Sequence, residues 1–96
     1  MNSTCSLNDE QQQLIARLCA ASLGISPQKF RQKWDISYQQ MADICHCTPG
    51  TVQRWFERGR NYRRPSQYSC FKLAIADWLL ENYQDIPQEL LARILS

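Results

Sequence analysis

Two clusters of side chains in this chain have types and spacings that can do chemistry. The first is a run of arginines, Arg58, Arg60, Arg63 and Arg64, with Asn61 and Tyr62 set among them. A guanidinium presents its donors as a planar fork that matches two phosphate oxygens at once. The ordinary alternative for such a run is a solvated surface. The interleaved Asn61 and Tyr62 favour phosphate binding. The second cluster is Cys45-His46-Cys47, which offers soft metal ligands and two thiols. A closed zinc site needs four ligands, and neither a CxxC pair nor an HxxxH pair is present to complete one. His46 is also the sole histidine. Cys45 and Cys47 are therefore expected to be small packing residues on either side of a turn. A thiol or metal sensor built on Cys45, His46 and Cys47 stays open as an alternative.

Charge is distributed in a way that singles out the same region. Residues 29–64 hold eight basic and three acidic side chains, while the segments before and after are slightly acidic. A local basic surface matters more to a polyanionic partner than the formal total of +2. Catalysis finds no foothold. There is no glycine-rich phosphate loop or GxSxG, and the lone histidine lacks an evident partner. No enzyme activity, cofactor, metal or small-molecule ligand is expected.

Helices must position these groups. Asn8 can cap a helix over about residues 8–23, with Leu14, Ile15, Leu18, Cys19 and Ser22 at helical spacing and Gly24 as the stop. Residues 1–6 are expected to be flexible. Ser26-Pro27 starts a second helix, with Phe30 and Trp34 on one face and Lys29, Arg31 and Lys33 outward. Ser37 caps a third from Tyr38 to Cys45. Thr48-Pro49 opens a fourth, expected to run to Arg58 and stop at Gly59 in the left-handed conformation. Pro65-Ser66 precedes a long helix over 67–83 with two apolar stripes. Phe71, Ala74, Ile75, Trp78 and Leu79 form one, and Leu73, Ala76, Leu80 and Tyr83 form the other. A last helix follows Asp85-Ile86-Pro87. Strand-length alternation and internal repeats are absent. Ninety-six residues in this pattern predict one all-α domain of five to six helices.

Within residues 38–57 the inward positions of two short helices fall into register. Met41, Ala42, Ile44 and Cys45 line the first, and Val52, Trp55 and Phe56 line the second. Ala42 is small where the two helices cross. This spacing closely resembles the helix-turn-helix family of bacterial transcription regulators, over a motif of roughly twenty residues within 38–58. The family usually has glycine where this chain has His46. That turn position is left-handed, and histidine enters it at tolerable cost.

The resemblance implies roles position by position. The helix from Pro49 to Arg58 would enter the DNA major groove. Gln53 would pair with adenine and Arg54 with guanine. Thr48, Gly50 and Thr51 would allow close approach to base edges. Tyr38 and Gln39 would meet a phosphate at the start of the preceding helix. Arg58, Arg60, Tyr62, Arg63 and Arg64 would hold further phosphates. The implied function is sequence-specific binding of double-stranded DNA by a small transcriptional regulator. A homodimer through residues 67–96 would serve two half-sites, unless the helix at 8–23 covers the second stripe within one chain. An adaptor that binds polymerase or a recombinase is the competing class. No apolar run is long enough to span a bilayer, and residues 1–24 lack the pattern of a secretory signal. Together with five cysteines, an odd number, this predicts a cytoplasmic protein with reduced thiols.

Overall fold

Local capping chemistry sets where each helix begins. In the computed structural model, which describes residues 5–21 and 23–95, five residues place a side-chain oxygen on the amide three positions ahead. Asn8 accepts from Gln11 at 2.8 Å, Ser26 from Lys29 at 3.1 Å, Ser37 from Gln40 at 3.1 Å, Thr48 from Thr51 at 3.2 Å and Ser66 from Ser69 at 3.1 Å. Each satisfies an amide that has no partner inside its helix. The helices that follow are α1 (Asp9–Ala20), α2 (Pro27–Lys33), α3 (Tyr38–Cys45), α4 (Pro49–Trp55) and α5 (Gln67–Asn82), and α6 (Gln88–Leu95) closes the series. A 3-10 turn at Gly59–Asn61 lies between α4 and α5. The fold is all-α. No helix among the described residues is long and apolar enough to cross a membrane. The expectation of flexibility at residues 1–6 falls mostly on residues 1–4, which lie outside the described residues, as does Ser22.

Two helices end before the sequence pattern does. α1 stops at Ala20 rather than near residue 23. Ala21 is extended, and its amide closes the helix on the Arg17 carbonyl at 3.0 Å. Farther on, the Ile25 amide bonds the Cys70 carbonyl at 3.2 Å, which ties that position to α5. α4 stops at Trp55 rather than Arg58. The Arg54 carbonyl accepts the Arg63 amide at 3.1 Å, so the chain turns back on the helix end. Gly59 is left-handed as expected, with φ 72°, but it opens the 3-10 turn and does not terminate α4.

The core lies where α2, α3, α4 and α5 meet. Phe30, Met41, Ala42, Val52 and Leu73 are fully buried, with Cys45 and Trp55 nearly so. Of the two stripes on α5, the one with Leu73 and Ala76 packs inward, joined by buried Ser69. The stripe with Phe71, Ile75 and Trp78 stays exposed, and α1 does not cover it, since α1 buries no residue.

A polar clasp ties α2 to α5. The Trp34 indole Nε1 donates to Asp77 Oδ1 at 2.8 Å. Lys33 Nζ pairs with the same oxygen at 2.9 Å and with Glu81. Lys33, expected outward, is thus engaged with two carboxylates of α5. The clasp is non-local, so only the packed helices reveal it. Lys33, then Trp34, hold the Asp77 carboxyl below its ordinary value of 3.8. A carboxylate depressed by folding adds stability above its unfolded pKa and loses it as pH falls through the folded one. Asp77→Asn is therefore expected to lose stability relative to the native chain at neutral pH, with the gap closing as pH drops below 3.8. Urea midpoints measured along a pH series check this. A gap that persists at the acid end would show that the clasp is not electrostatic.

Candidate nucleic-acid interface

The corner between α3 and α4 is made by three residues. His46 takes up the left-handed conformation at φ 57°, ψ 48°, and its amide bonds the Ala42 carbonyl. Cys47 places its own amide on the same carbonyl at 3.0 Å. His46 is the one described non-glycine residue with positive φ. Thr48 then caps α4, and its hydroxyl lies 3.0 Å from that of Thr51. Cys45 is buried and Cys47 half-buried on either side of the exposed His46.

Burial of one face of α4 leaves the other free. Val52 and Trp55 point into the core, so Gly50, Thr51, Gln53 and Arg54 are exposed. The Trp55 end of the helix is fastened to α2 by Gln28, whose side-chain amide donates to the Trp55 carbonyl at 2.8 Å. Gly50 has room for a side chain. A Cβ there would meet nothing nearer than Thr48 Oγ1 at 3.8 Å, an ordinary contact. No atom of the protein calls for glycine at that position.

The arginines fall into two groups. Return of Arg63 onto the Arg54 carbonyl brings Arg54, Arg63 and Arg64 to one open cleft of about 510 Å³, which His46, Thr51 and Tyr68 also line. No carboxylate lines it. Arg58 and Arg60 are exposed outside this cleft. None of these five arginines pairs with a carboxylate among the described residues, whereas Lys33 has two. Tyr68 joins them from the first turn of α5. Its place beside the arginines depends on where α5 starts relative to α4, which no local signal encodes.

Other expected contacts are engaged within the chain. The Tyr38 ring stacks on Phe56 at a centroid distance of 5.2 Å. The Arg31 guanidinium lies over Tyr38 at 4.7 Å. Arg31 Nε also donates to the Ile36 carbonyl at 3.2 Å, which fixes the approach to α3. Gln39 donates to Asp43 at 3.0 Å. Tyr62 is exposed and lines a different cleft, between α1 and α5, with Arg64. Glu57 is half-buried beyond the end of α4.

Thiol chemistry at the corner is disfavoured. Burial, more than any neighbouring charge, pushes the Cys45 thiol up to about 11. Burial raises Cys47 and Cys70 as well. A reactive cysteine needs the opposite shift. Among the described residues, no three His, Cys, Asp or Glu side chains come together as a metal site would need.

Comparison with protein families, curated proteins and solved structures finds no match to this chain.

Proposed function

We infer that this chain binds double-stranded DNA sequence-specifically, as a small cytoplasmic transcriptional regulator that presents α4 to the major groove. The observation that carries this reading is the set of five unpaired arginines beside the exposed face of α4. Cations left without carboxylate partners, three of them in a cleft that no carboxylate lines, suit a polyanion. The lengths agree as well. A short helix held at its C-terminal end by Gln28 and by the Arg63 amide leaves its first turn foremost, which is the part that meets base edges in this motif. Gln53 and Arg54 supply the side chains for paired hydrogen bonds, and Arg58, Arg60, Arg63 and Arg64 supply the phosphate contacts. A homodimer through residues 67–96 belongs to the same reading, because two half-sites call for two copies.

Gly50 offers the direct test. Glycine costs helix stability relative to alanine, and nothing in the fold requires it here. Its use is explained if a duplex approaches closely. Gly50→Ala is expected to raise stability by about 0.5–1 kcal/mol. The same change is expected to weaken duplex binding by about tenfold, the equivalent of ~1.4 kcal/mol. Unfolding curves and fluorescence anisotropy read the two effects separately. Unchanged affinity would remove the first turn of α4 from the interface, and failure to retain any duplex at low salt would overturn the reading.

A further inference from the structure

The folded chain exposes far more surface than a single chain of its mass normally does. Its accessible area is 8089 Å², against roughly 5,700 Å² expected for a folded monomer of 11.3 kDa. Its radius of gyration is 16.8 Å, against roughly 12.5 Å expected for this length. The excess is roughly 2,400 Å², which matches what one partner contributes to a large, obligate interface.

Exposed large apolar side chains lie on α1, α5 and α6, and those of α1 and α5 adjoin. Leu14, Ile15 and Leu18 share one face of α1 and are 63%, 45% and 58% exposed. Phe71, Ile75 and Trp78 form the outer stripe of α5. The two stripes adjoin, since Leu18 and Phe71 open onto one cleft of about 850 Å³. α1 has 12 residues and none of them buried. A helix of that length is marginal alone in water, so its helical state depends on something that covers its apolar face. Its own α5 does not do so. Ile25 is fixed at the start of α5 by its backbone bond to Cys70. From that anchor α1 departs and leaves Ile75 and Trp78 bare.

We propose that a second copy of this chain covers this face, with α1 of each copy lying on α5 of the other. Each chain carries both halves of the contact, so one two-fold axis satisfies both stripes at once. The two helices carry little net charge, with Asp9, Glu10 and Arg17 on α1 and Lys72, Asp77 and Glu81 on α5, the last two already paired with Lys33. Two copies therefore meet without strong repulsion. Of the basic residues of 29–64, Arg64 lines the cleft where the two stripes adjoin. Phe71 and Trp78 are of the aromatic type enriched at interface centres.

Sedimentation velocity on the full chain tests this. The expected result is the mass of two chains at roughly 100 μM and still at about 10 μM, since interfaces of ordinary size hold at micromolar concentration or below. Leu18→Asp and Trp78→Asp should each restore the single-chain mass. Both side chains are exposed in one chain, so the helical signal of α2–α5 should survive, and circular dichroism checks that. In a mixture of isotope-labelled and unlabelled chains, cross-relaxation is expected between Leu14, Ile15 and Leu18 methyls of one copy and the Trp78 ring of the other. A single-chain mass at both concentrations overturns the proposal and leaves the face to a different protein. A dimer without those cross-peaks also overturns it, by removing α1 from the contact. The proposal rests on the homodimer of the proposed function and adds α1 to its contact, but it is separable from the DNA contacts. A dimer that ignores duplexes leaves it intact and overturns the DNA contacts, and a monomer that binds duplexes overturns the dimer and leaves those contacts standing.

Discussion

Raising salt from 50 to 200 mM is expected to weaken duplex binding by roughly 150-fold. The figure follows from counting phosphates. Arg58, Arg60, Arg63 and Arg64 are exposed and free of carboxylates, so each can displace condensed counterions. About four such contacts give a log–log slope of roughly −3.6, and a fourfold rise in salt then costs about two decades. Arg63→Ala should reduce the slope by about 1 and weaken all sequences alike. Arg54→Ala should act differently, relaxing preference at one base pair by about 1–3 kcal/mol. The contrast is demanding, because Arg54 and Arg63 line the same cleft and the Arg63 amide bonds the Arg54 carbonyl. Salt titration by anisotropy reads the slope, and selection from random duplexes reads the preference. Two variants that behave identically would mean that α4 contributes charge and no readout.

The positions of Gln53 and Arg54 on α4 were legible because they follow from local chemistry. Thr48 and Pro49 fix where α4 starts, and the inward Val52 and Trp55 then fix which residues face out. The starts of α1, α2, α3 and α5 were legible for the same reason, each from one capping oxygen and one amide three residues away. The left-handed backbone at His46 was legible from the motif, since a corner this tight needs one residue there. Helix ends were less readable. The end of α4 is set by the Arg63 amide, and the course of the chain after α1 by the Cys70 carbonyl. Neither partner is local. The same limit applies to the choice of stripe on α5, a helix apolar on two sides whose orientation is decided by α2 and α3. It applies to the cleft too. The arginines could be counted from sequence, but that Arg54, Arg63 and Arg64 share a wall with Tyr68 depends on how the 56–66 loop returns. Tyr38 shows a further limit. The sequence leaves it available to a phosphate, whereas its stacking on Phe56, with Arg31 over both rings, requires three elements to meet.

Replacing Trp55 by alanine is expected to cost about 3–5 kcal/mol of stability, the range for removing a buried aromatic side chain. A chain of this length has roughly 5–14 kcal/mol to lose, so the variant should be close to unfolding at physiological temperature. Trp55 is 3% exposed and is one of two buried residues on α4. Seven residues cannot hold helical form without docking, so the cavity and the loss of α4 should coincide. Trp78 is the internal comparison. At 55% exposed, its truncation should cost about 1 kcal/mol or less in the dissociated chain, as surface substitutions do. Urea unfolding at low protein concentration reads both. The difference between the two tryptophans bears directly on function. Gln53 and Arg54 point outward because Val52 and Trp55 point inward, and the two faces stand or fall together. A Trp55→Ala variant as stable as Trp78→Ala would mean that α4 is not docked by this stripe, and the outward face would lose its physical basis.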